Sequence, residues 1–202
     1  SVLKDHFPSL KVVASEKAKR VLVRPNAIEL IRNLTLAARE MTKKMGIDLD
    51  RFASFQPFEV DRILKDGESI ELSKNIRVRA FETPGHTWDC LSYYIPQKKV
   101  LMCSEAAGVP DQTGYIISDF LVDYDRYVES MTRLNELDVN VLCLGHRFAY
   151  IGNDAKTYIP KSMTCCRQFL ELVETCFVEE AGDLQNVIKR VKKLEYDDKK
   201  GP

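Results

Sequence analysis

The sequence predicts an α/β protein, and two kinds of apolar pattern lead to this prediction. Short apolar or alternating runs, each stopped by proline, glycine or a polar cluster, are typical of strands. Longer runs with apolar residues at three- and four-residue steps are typical of helices that pack on a sheet. With 202 residues, the chain has the length of one domain with a sizeable core. We therefore expect a single domain over 1–202.

The N-terminal part is predicted to be mainly helical. Residues 10–14 are typical of a short strand. Pro25 favours the start of a helix and Gly46 its end. The apolar positions between them recur at helical steps and predict one apolar face: Ala27, Leu30, Ile31, Leu34, Ala38, Met41 and Met45.

A helical insertion is therefore expected over about 25–65. Its second helix is predicted over 58–65, after an aromatic connector at 52–58. We expect the rings of the connector to pin these helices on the sheet. The alternative interpretation is that the insertion forms part of a lid or substrate wall.

The middle of the chain predicts strands. Residues 76–81 alternate apolar and polar, as a half-buried strand does. Residues 91–95 and 99–103 are joined by Pro96-Gln97-Lys98, whose proline suits a tight turn. Residues 139–144 form a nearly all-apolar run, which is typical of a buried strand.

Helices are predicted in the remaining C-terminal part. Apolar residues recur at helical steps over 126–138 and over 163–178. The second of these lies within a helical region that we expect over about 161–195.

Three of the predicted strands run into a residue that can bind a metal ion. The strand 76–81 leads to Pro84, which ends it, to Gly85, which permits a close backbone approach, and then to His86. Glu105 and His146 each follow a later strand. Imidazole and carboxylate donors together suit zinc, iron or manganese. His86, Glu105 and His146 are therefore candidate ligands, although His86 taken alone is equally consistent with a turn histidine that has no partner.

This order of motifs resembles the metallo-β-lactamase-fold family: a Thr-Pro-Gly-His-Thr turn, an acid after the next hairpin, and Gly-His after a later apolar strand. The lead-in at 65–72 is similar to that family as well. The resemblance implies a four-layer αβ/βα sandwich. It also implies that His86 is the ligand of the third motif, that Glu105 is the acid that bridges two metals, and that His146 is the last histidine. The family normally has Asp where this chain has Glu105.

The first metal motif of the family, His-x-His-x-Asp-His, is absent from this sequence. Asp5-His6 is the nearest match, but the motif would require histidines at Ser1 and Leu3. We therefore interpret His6 as a surface residue of a helix. The expected fold is mainly the C-terminal half of the sandwich, without its N-terminal strands.

The resemblance implies a metal-dependent hydrolase with two divalent metal ions, zinc in the first place and iron or manganese as alternatives. In such a centre a water activated by both ions attacks an ester, thioester, lactone, amide or phosphodiester of a small-molecule substrate. Tyr115, Asp119 and Arg147 are candidates to orient the substrate. Loop packing is the alternative role for Tyr115, and a surface ion pair is the alternative for Arg147.

Two alternatives to hydrolysis stay open. A di-iron redox protein shares the fold, and a carboxylate-containing site suits iron. A non-catalytic fragment or scaffold that keeps the fold is the other alternative. A nucleic-acid-processing member is disfavoured, because 30 basic and 30 acidic residues cancel and no long-range field attracts nucleic acid or an anionic membrane.

Composition further predicts a cytoplasmic protein. No apolar run approaches the ~20 residues that a membrane-spanning helix requires. The six cysteines form no Cys-x-x-Cys pair and are expected to be reduced core thiols, with Cys90 nearest to the candidate site in sequence. A homodimer is compatible with the sequence, which leaves the oligomeric state open.

Overall fold

The computed structural model describes residues 2–47, 55–146 and 148–197. Its helices are α1 (Val2–His6), α2 (Glu16–Leu22), α3 (Pro25–Lys44), α4 (Tyr124–Asn135), α5 (Asn153–Glu179) and α6 (Leu184–Lys192). Its strands are β1 (Val13–Ala14), β2 (Arg62–Ile63), β3 (Ser69–Ser73), β4 (Ile76–Glu82), β5 (Leu91–Ile95), β6 (Val100–Ser104), β7 (Val109–Pro110), β8 (Ile116–Ile117), β9 (Val141–Leu144) and β10 (Ala149–Ile151). Single 3₁₀ turns occupy Pro96–Lys98 and Glu105–Ala107, and a single π turn occupies Lys193–Asp197.

The main sheet has six strands in the order β10-β9-β6-β5-β4-β3. Its neighbours are antiparallel except for β6 and β9, which are parallel. Parallel neighbours need a crossover connection, and here the crossover includes β7, β8 and α4. The predicted α/β class is confirmed.

One face of this sheet carries the main core. Tyr94, Leu101 and Leu142 are aligned across β5, β6 and β9 and are all buried. They belong to a single cluster with residues of α4 and α5, including Tyr127 and Tyr158. The two helices therefore form one layer over this face.

The opposite face of the sheet is less covered. Tyr93, Met102 and Cys143 are aligned on the same three strands, one position along from the core residues, and each is only half-buried. The described residues thus contain a large sheet with a helix layer on one face. This is one half of the expected four-layer sandwich, as the sequence predicts.

The prediction of a helix over 58–65 is wrong. Residues 55–61 have no regular structure, and β2 pairs in parallel with β1. The backbone amides of Asp61 and Leu64 donate to carbonyl oxygens of Val12 and Ala14, so the hydrogen bonds that a helix would use are made with β1. Of the aromatic connector, residues 52–54 lie outside the described residues, whereas the rings of Phe55 and Phe58 pack edge to face with centroids 6.1 Å apart.

The helix predicted from Pro25 is confirmed as α3, but its apolar face does not enter the core. Large side chains such as Leu34 and Met41 are exposed. Arg32 Nε donates to the carbonyl oxygen of Phe55 at 3.4 Å. Periodicity alone predicted the helix and its apolar face, but it does not tell what that face meets.

The helix predicted over 126–138 is seen as α4, shifted to Tyr124–Asn135, and α5 is longer than the helix predicted over 163–178. Helix α5 begins ahead of the predicted start at Met163 and continues through Pro160. Burial of Tyr158, Ile159 and Ser162 against the sheet stabilises the helix on both sides of the proline, which by itself disfavours a helix interior. In the described part of the chain, no helix has the length and apolar character needed to cross a bilayer.

Candidate metal centre

The turn that carries His86 is held rigidly at the end of β4. The Thr83 hydroxyl shares a hydrogen bond with the Ser92 hydroxyl at 2.9 Å in the interior. Ser130 Oγ of α4 donates to the Pro84 carbonyl oxygen at 2.8 Å. The Gly85 carbonyl oxygen accepts amide hydrogens from the segment that leads into α4. His86 is therefore carried by a turn that is attached to both the sheet and α4.

Asp119 orients the His86 ring. His86 Nδ1 lies 2.7 Å from the Asp119 carbonyl oxygen and 3.3 Å from Asp119 Oδ2. A carbonyl oxygen can only accept, so Nδ1 carries the proton and, in the neutral ring, Nε2 keeps its lone pair. A second partner that fixes the tautomer in this way is typical of metal-binding histidines. From the sequence, Asp119 is a candidate to orient the substrate. The structure places Asp119 against the ring of His86 instead.

Glu105 begins a 3₁₀ turn directly after β6. Its Oε2 accepts a hydrogen bond from the hydroxyl of Ser104. Burial raises the pKa of the Glu105 carboxyl, but the Ser104 hydroxyl, the Glu105 amide and the rings of His86 and His146 together hold that pKa below the usual glutamate value. The side chain is therefore an anionic donor at neutral pH.

Ser104 has a backbone conformation that favours glycine. Its φ is 50° and its ψ is −133°, a region that costs a non-glycine residue on the order of 1–3 kcal/mol. Such strain is often found next to functional residues. No sequence signal pointed to it, because serine gives no indication of a positive φ.

His146 follows β9, the parallel neighbour of β6, and meets Glu105. His146 Nε2 lies 2.8 Å from Glu105 Oε1, and the His146 side chain is 59% exposed. Gly145 makes this approach possible, since a Cβ at that position would lie 2.6 Å from Glu105 Oε1. The structure therefore brings together two of the three predicted ligands, with His86 near enough to influence the same carboxyl.

The three donors are chemically suited to a metal ion, but the described residues do not supply a complete set of ligands. Two imidazoles and one carboxylate suit zinc, iron or manganese, and His86 has the tautomer that a ligand needs. Within residues 2–47, 55–146 and 148–197, however, no three His, Cys, Asp or Glu side chains are grouped closely enough to hold an ion. The three predicted ligands thus lie at one edge of the sheet without forming a closed cage.

The other candidates lie apart from this pair or outside the described residues. The Tyr115 hydroxyl contacts Glu195 of the C-terminal π turn. Arg147 lies outside the described residues. His6 is at the exposed end of α1, as predicted. The Cys90 thiol shares a hydrogen bond with the Thr87 hydroxyl at 3.1 Å, and burial raises its pKa.

Solved structures of other proteins share this architecture. An archaeal metallo-β-lactamase superfamily protein from Sulfolobus tokodaii matches with a TM-score of 0.56 and 20% identity, over 84% of this chain and 62% of that chain. A metallo-β-lactamase family protein from Thermus thermophilus matches with a TM-score of 0.55 and 19% identity, over 81% and 55%. A mutant of a flavo di-iron protein from Thermotoga maritima matches with a TM-score of 0.52 and 15% identity, over 88% and 46%.

This chain therefore spans less than two thirds of the length of each of these three proteins. No family model matches the sequence. At such identities the similarity shows the fold alone. The strand order, the helix layer and these matches together establish that the chain has the metallo-β-lactamase fold.

Proposed function

We propose that this edge of the sheet forms part of the metal centre of a metal-dependent hydrolase, to which the chain contributes His86, Glu105 and His146. The contact between His146 Nε2 and Glu105 Oε1 at 2.8 Å carries the proposal. It joins an imidazole and a carboxylate from the ends of two neighbouring strands, and both types of side chain are common metal ligands.

The residues have separate tasks in this centre. Asp119 keeps the proton of His86 on Nδ1, so that Nε2 is the donor. Glu105 supplies negative charge: Oε1 lies against the His146 ring and Oε2 accepts from the Ser104 hydroxyl, and each oxygen keeps a further lone pair for a metal ion. When bound, two divalent ions, zinc or else iron or manganese, lower the pKa of a water molecule and stabilise the negative charge that develops on the substrate.

A small molecule with an apolar group is the substrate class that we propose. Trp88 follows His86 closely and is 48% exposed, and Phe148 follows His146 closely and is 38% exposed. These two exposed rings follow the proposed ligands in sequence, and we propose that they contact the apolar group of the substrate. The hydrolysed bond would be that of an ester, thioester, lactone, amide or phosphodiester.

A di-iron redox protein is the second candidate. Imidazole and carboxylate donors suit iron as well as zinc, and one of the matched structures is a flavo di-iron protein. Iron rather than zinc in the purified protein would favour this candidate.

The deciding experiment measures metal per chain by elemental analysis, with the intact mass recorded on the same sample. We expect bound metal in the unaltered protein, its loss in His146→Ala, and its retention in the matched control His6→Ala. The control removes the exposed histidine of α1. Equal metal content in both variants, or none in the unaltered protein even after zinc is supplied, would contradict the proposal.

A further inference from the structure

Helix α3, together with Met45 directly after its last residue, carries a row of exposed apolar side chains. The large ones are between 58% and 66% exposed, and an exposed alanine lies between them. We call this row the α3 stripe: Leu30, Leu34, Ala37, Met41 and Met45. Steps of three and four residues place all five on one side of the helix. Soluble proteins rarely leave a contiguous apolar surface uncovered unless it binds something.

The α3 stripe is not the side that α3 turns towards its own chain. The partly buried positions lie on a neighbouring side and include Ile28, Ile31, Thr35 and Thr42. None of the residues of α3, all of which the structure describes, is fully buried. Within residues 2–47, 55–146 and 148–197, the contacts of α3 therefore leave the α3 stripe exposed.

The geometry points to a second copy of this chain as the partner of the α3 stripe, with the two α3 helices antiparallel. The α3 stripe is self-complementary under a two-fold rotation about its centre. Leu30 would then face Met45 of the partner subunit, and Leu34 would face Met41 of the partner subunit. Ala37 lies at the centre, where a small side chain allows the helices to approach closely. An interface with two-fold symmetry requires a surface of this kind.

The charges next to the α3 stripe favour the antiparallel orientation. Glu29 and Lys44 lie at opposite ends of the helix, on the same flank of the α3 stripe. An antiparallel copy brings Glu29 next to Lys44 of the partner subunit, and the symmetry makes this pair twice. A parallel copy would bring together the two cationic last turns, which contain Lys43 and Lys44. Antiparallel helix dipoles also attract each other.

The size of the surface predicts a reversible dimer. A helix of 20 residues is about 30 Å long. One pair of such helices lies towards the lower end of specific interfaces, below or near about 1,200 Å² of total buried area. We therefore expect a dissociation constant in the micromolar range, and a monomer–dimer equilibrium that depends on concentration.

Sedimentation velocity over the micromolar range tests the proposal. The unaltered chain is expected to shift from monomer to dimer, and Leu34→Glu combined with Met41→Glu is expected to weaken association by roughly tenfold or more. The matched control is Leu36→Glu, since Leu36 is 56% exposed on the same helix but lies outside the α3 stripe, on the flank that carries Glu29, and is expected to weaken association no more than a flank charge does, by roughly two- to fivefold. Circular dichroism of all variants verifies that they are folded. A monomer at every concentration, or equal effects of the control and the stripe variants, would overturn the proposal.

A charge exchange tests the orientation separately. Glu29→Lys alone is expected to weaken the dimer by roughly two- to fivefold, because two attractive surface pairs become repulsive. Combining Glu29→Lys with Lys44→Glu restores opposite charges in the antiparallel pair and is expected to recover the original affinity. If the combined variant is no stronger than the single one, the antiparallel arrangement is wrong. None of these measurements depends on bound metal or on activity.

Discussion

Gly145 determines how closely the Glu105 carboxylate approaches the His146 ring. The atom nearest to an added Cβ, Glu105 Oε1, is the end of a flexible side chain, so the carboxylate can move away. The carbonyl carbon of Ser104 would lie 3.2 Å from the same Cβ, so the backbone there must shift by a few tenths of an ångström. A substitution at Gly145 should therefore change the geometry of the site more than the stability of the fold.

We predict that Gly145→Ala disrupts the contact between Glu105 and His146 and changes the free energy of unfolding little. The imidazole signals of His146 in an NMR spectrum should shift, because Oε1 can no longer lie 2.8 Å from Nε2. Since the chain has 3 histidines, the signals of His6 are an internal control. Unchanged His146 signals would mean that the pair does not exist in solution.

The turn that carries His86 packs closely against α4. Gly85 has a φ of 135°, and a Cβ there would lie 2.4 Å from Tyr127 Cα. Helix α4 thus packs directly on the backbone of the turn. Because backbone cannot move aside as a side chain tip can, a residue larger than glycine would separate the two elements.

Gly85→Ala is predicted to destabilise the protein by about 2–4 kcal/mol, the sum of backbone strain and overpacking. The matched control is Gly114→Ala, because Gly114 also has a positive φ of 86° but no atom within 4 Å of its Cβ position. The control should cost only the strain, about 1–2 kcal/mol. Urea unfolding of both variants measures the difference, and equal losses would show that α4 does not pack on the turn.

For the whole molecule, the two faces of the main sheet differ in how well they are covered. Cys103 lies on the helix side and is fully buried, whereas Cys143 lies on the opposite side and is half-buried. Burial raises the pKa of Cys103 to about 12, so almost none of it is thiolate at neutral pH. The two thiols come from neighbouring strands and therefore report on opposite sides of the same sheet.

We predict that a small alkylating reagent modifies Cys143 at least roughly tenfold faster than Cys103 in the folded protein, since the thiolate is the reactive form and access is required. Mass spectrometry of the digested protein at successive times gives both rates. Urea should remove the difference by exposing both thiols. Equal protection of the two cysteines before urea is added would mean that the second face of the sheet is covered in solution.

The parts of the fold that the sequence could predict are those with a strong local pattern. The strand over 91–95 and the helix from Pro25 are seen at the predicted positions, because each has a strong local signal: apolar residues bounded by a proline in the strand, and apolar residues at helical steps in the helix. The pairing of β1 with β2 was not predictable, since each strand has two residues and the partner is distant in sequence. Helix α5 begins ahead of its predicted start and continues through Pro160, because tertiary burial on both sides of the proline outweighs its local effect.

The candidate site, like the fold, could be predicted from the sequence only in part. Proline, glycine and chain order placed His86, Glu105 and His146 at strand ends, where they are in the structure. The role of Asp119 depends on a contact made across the fold by a loop residue. The strain at Ser104 depends on a backbone angle. Neither leaves a local pattern in the sequence.

The crossover between β6 and β9 has a consequence for the order of folding. Glu105 and His146 follow two strands that become neighbours only after the chain has passed through β7, β8 and α4. Closing such a long connection is slow compared with forming a hairpin such as β5–β6. We therefore expect the contact between Glu105 and His146 to form later than the β5–β6 hairpin. A refolding experiment that follows His146 would show when β6 and β9 become neighbours.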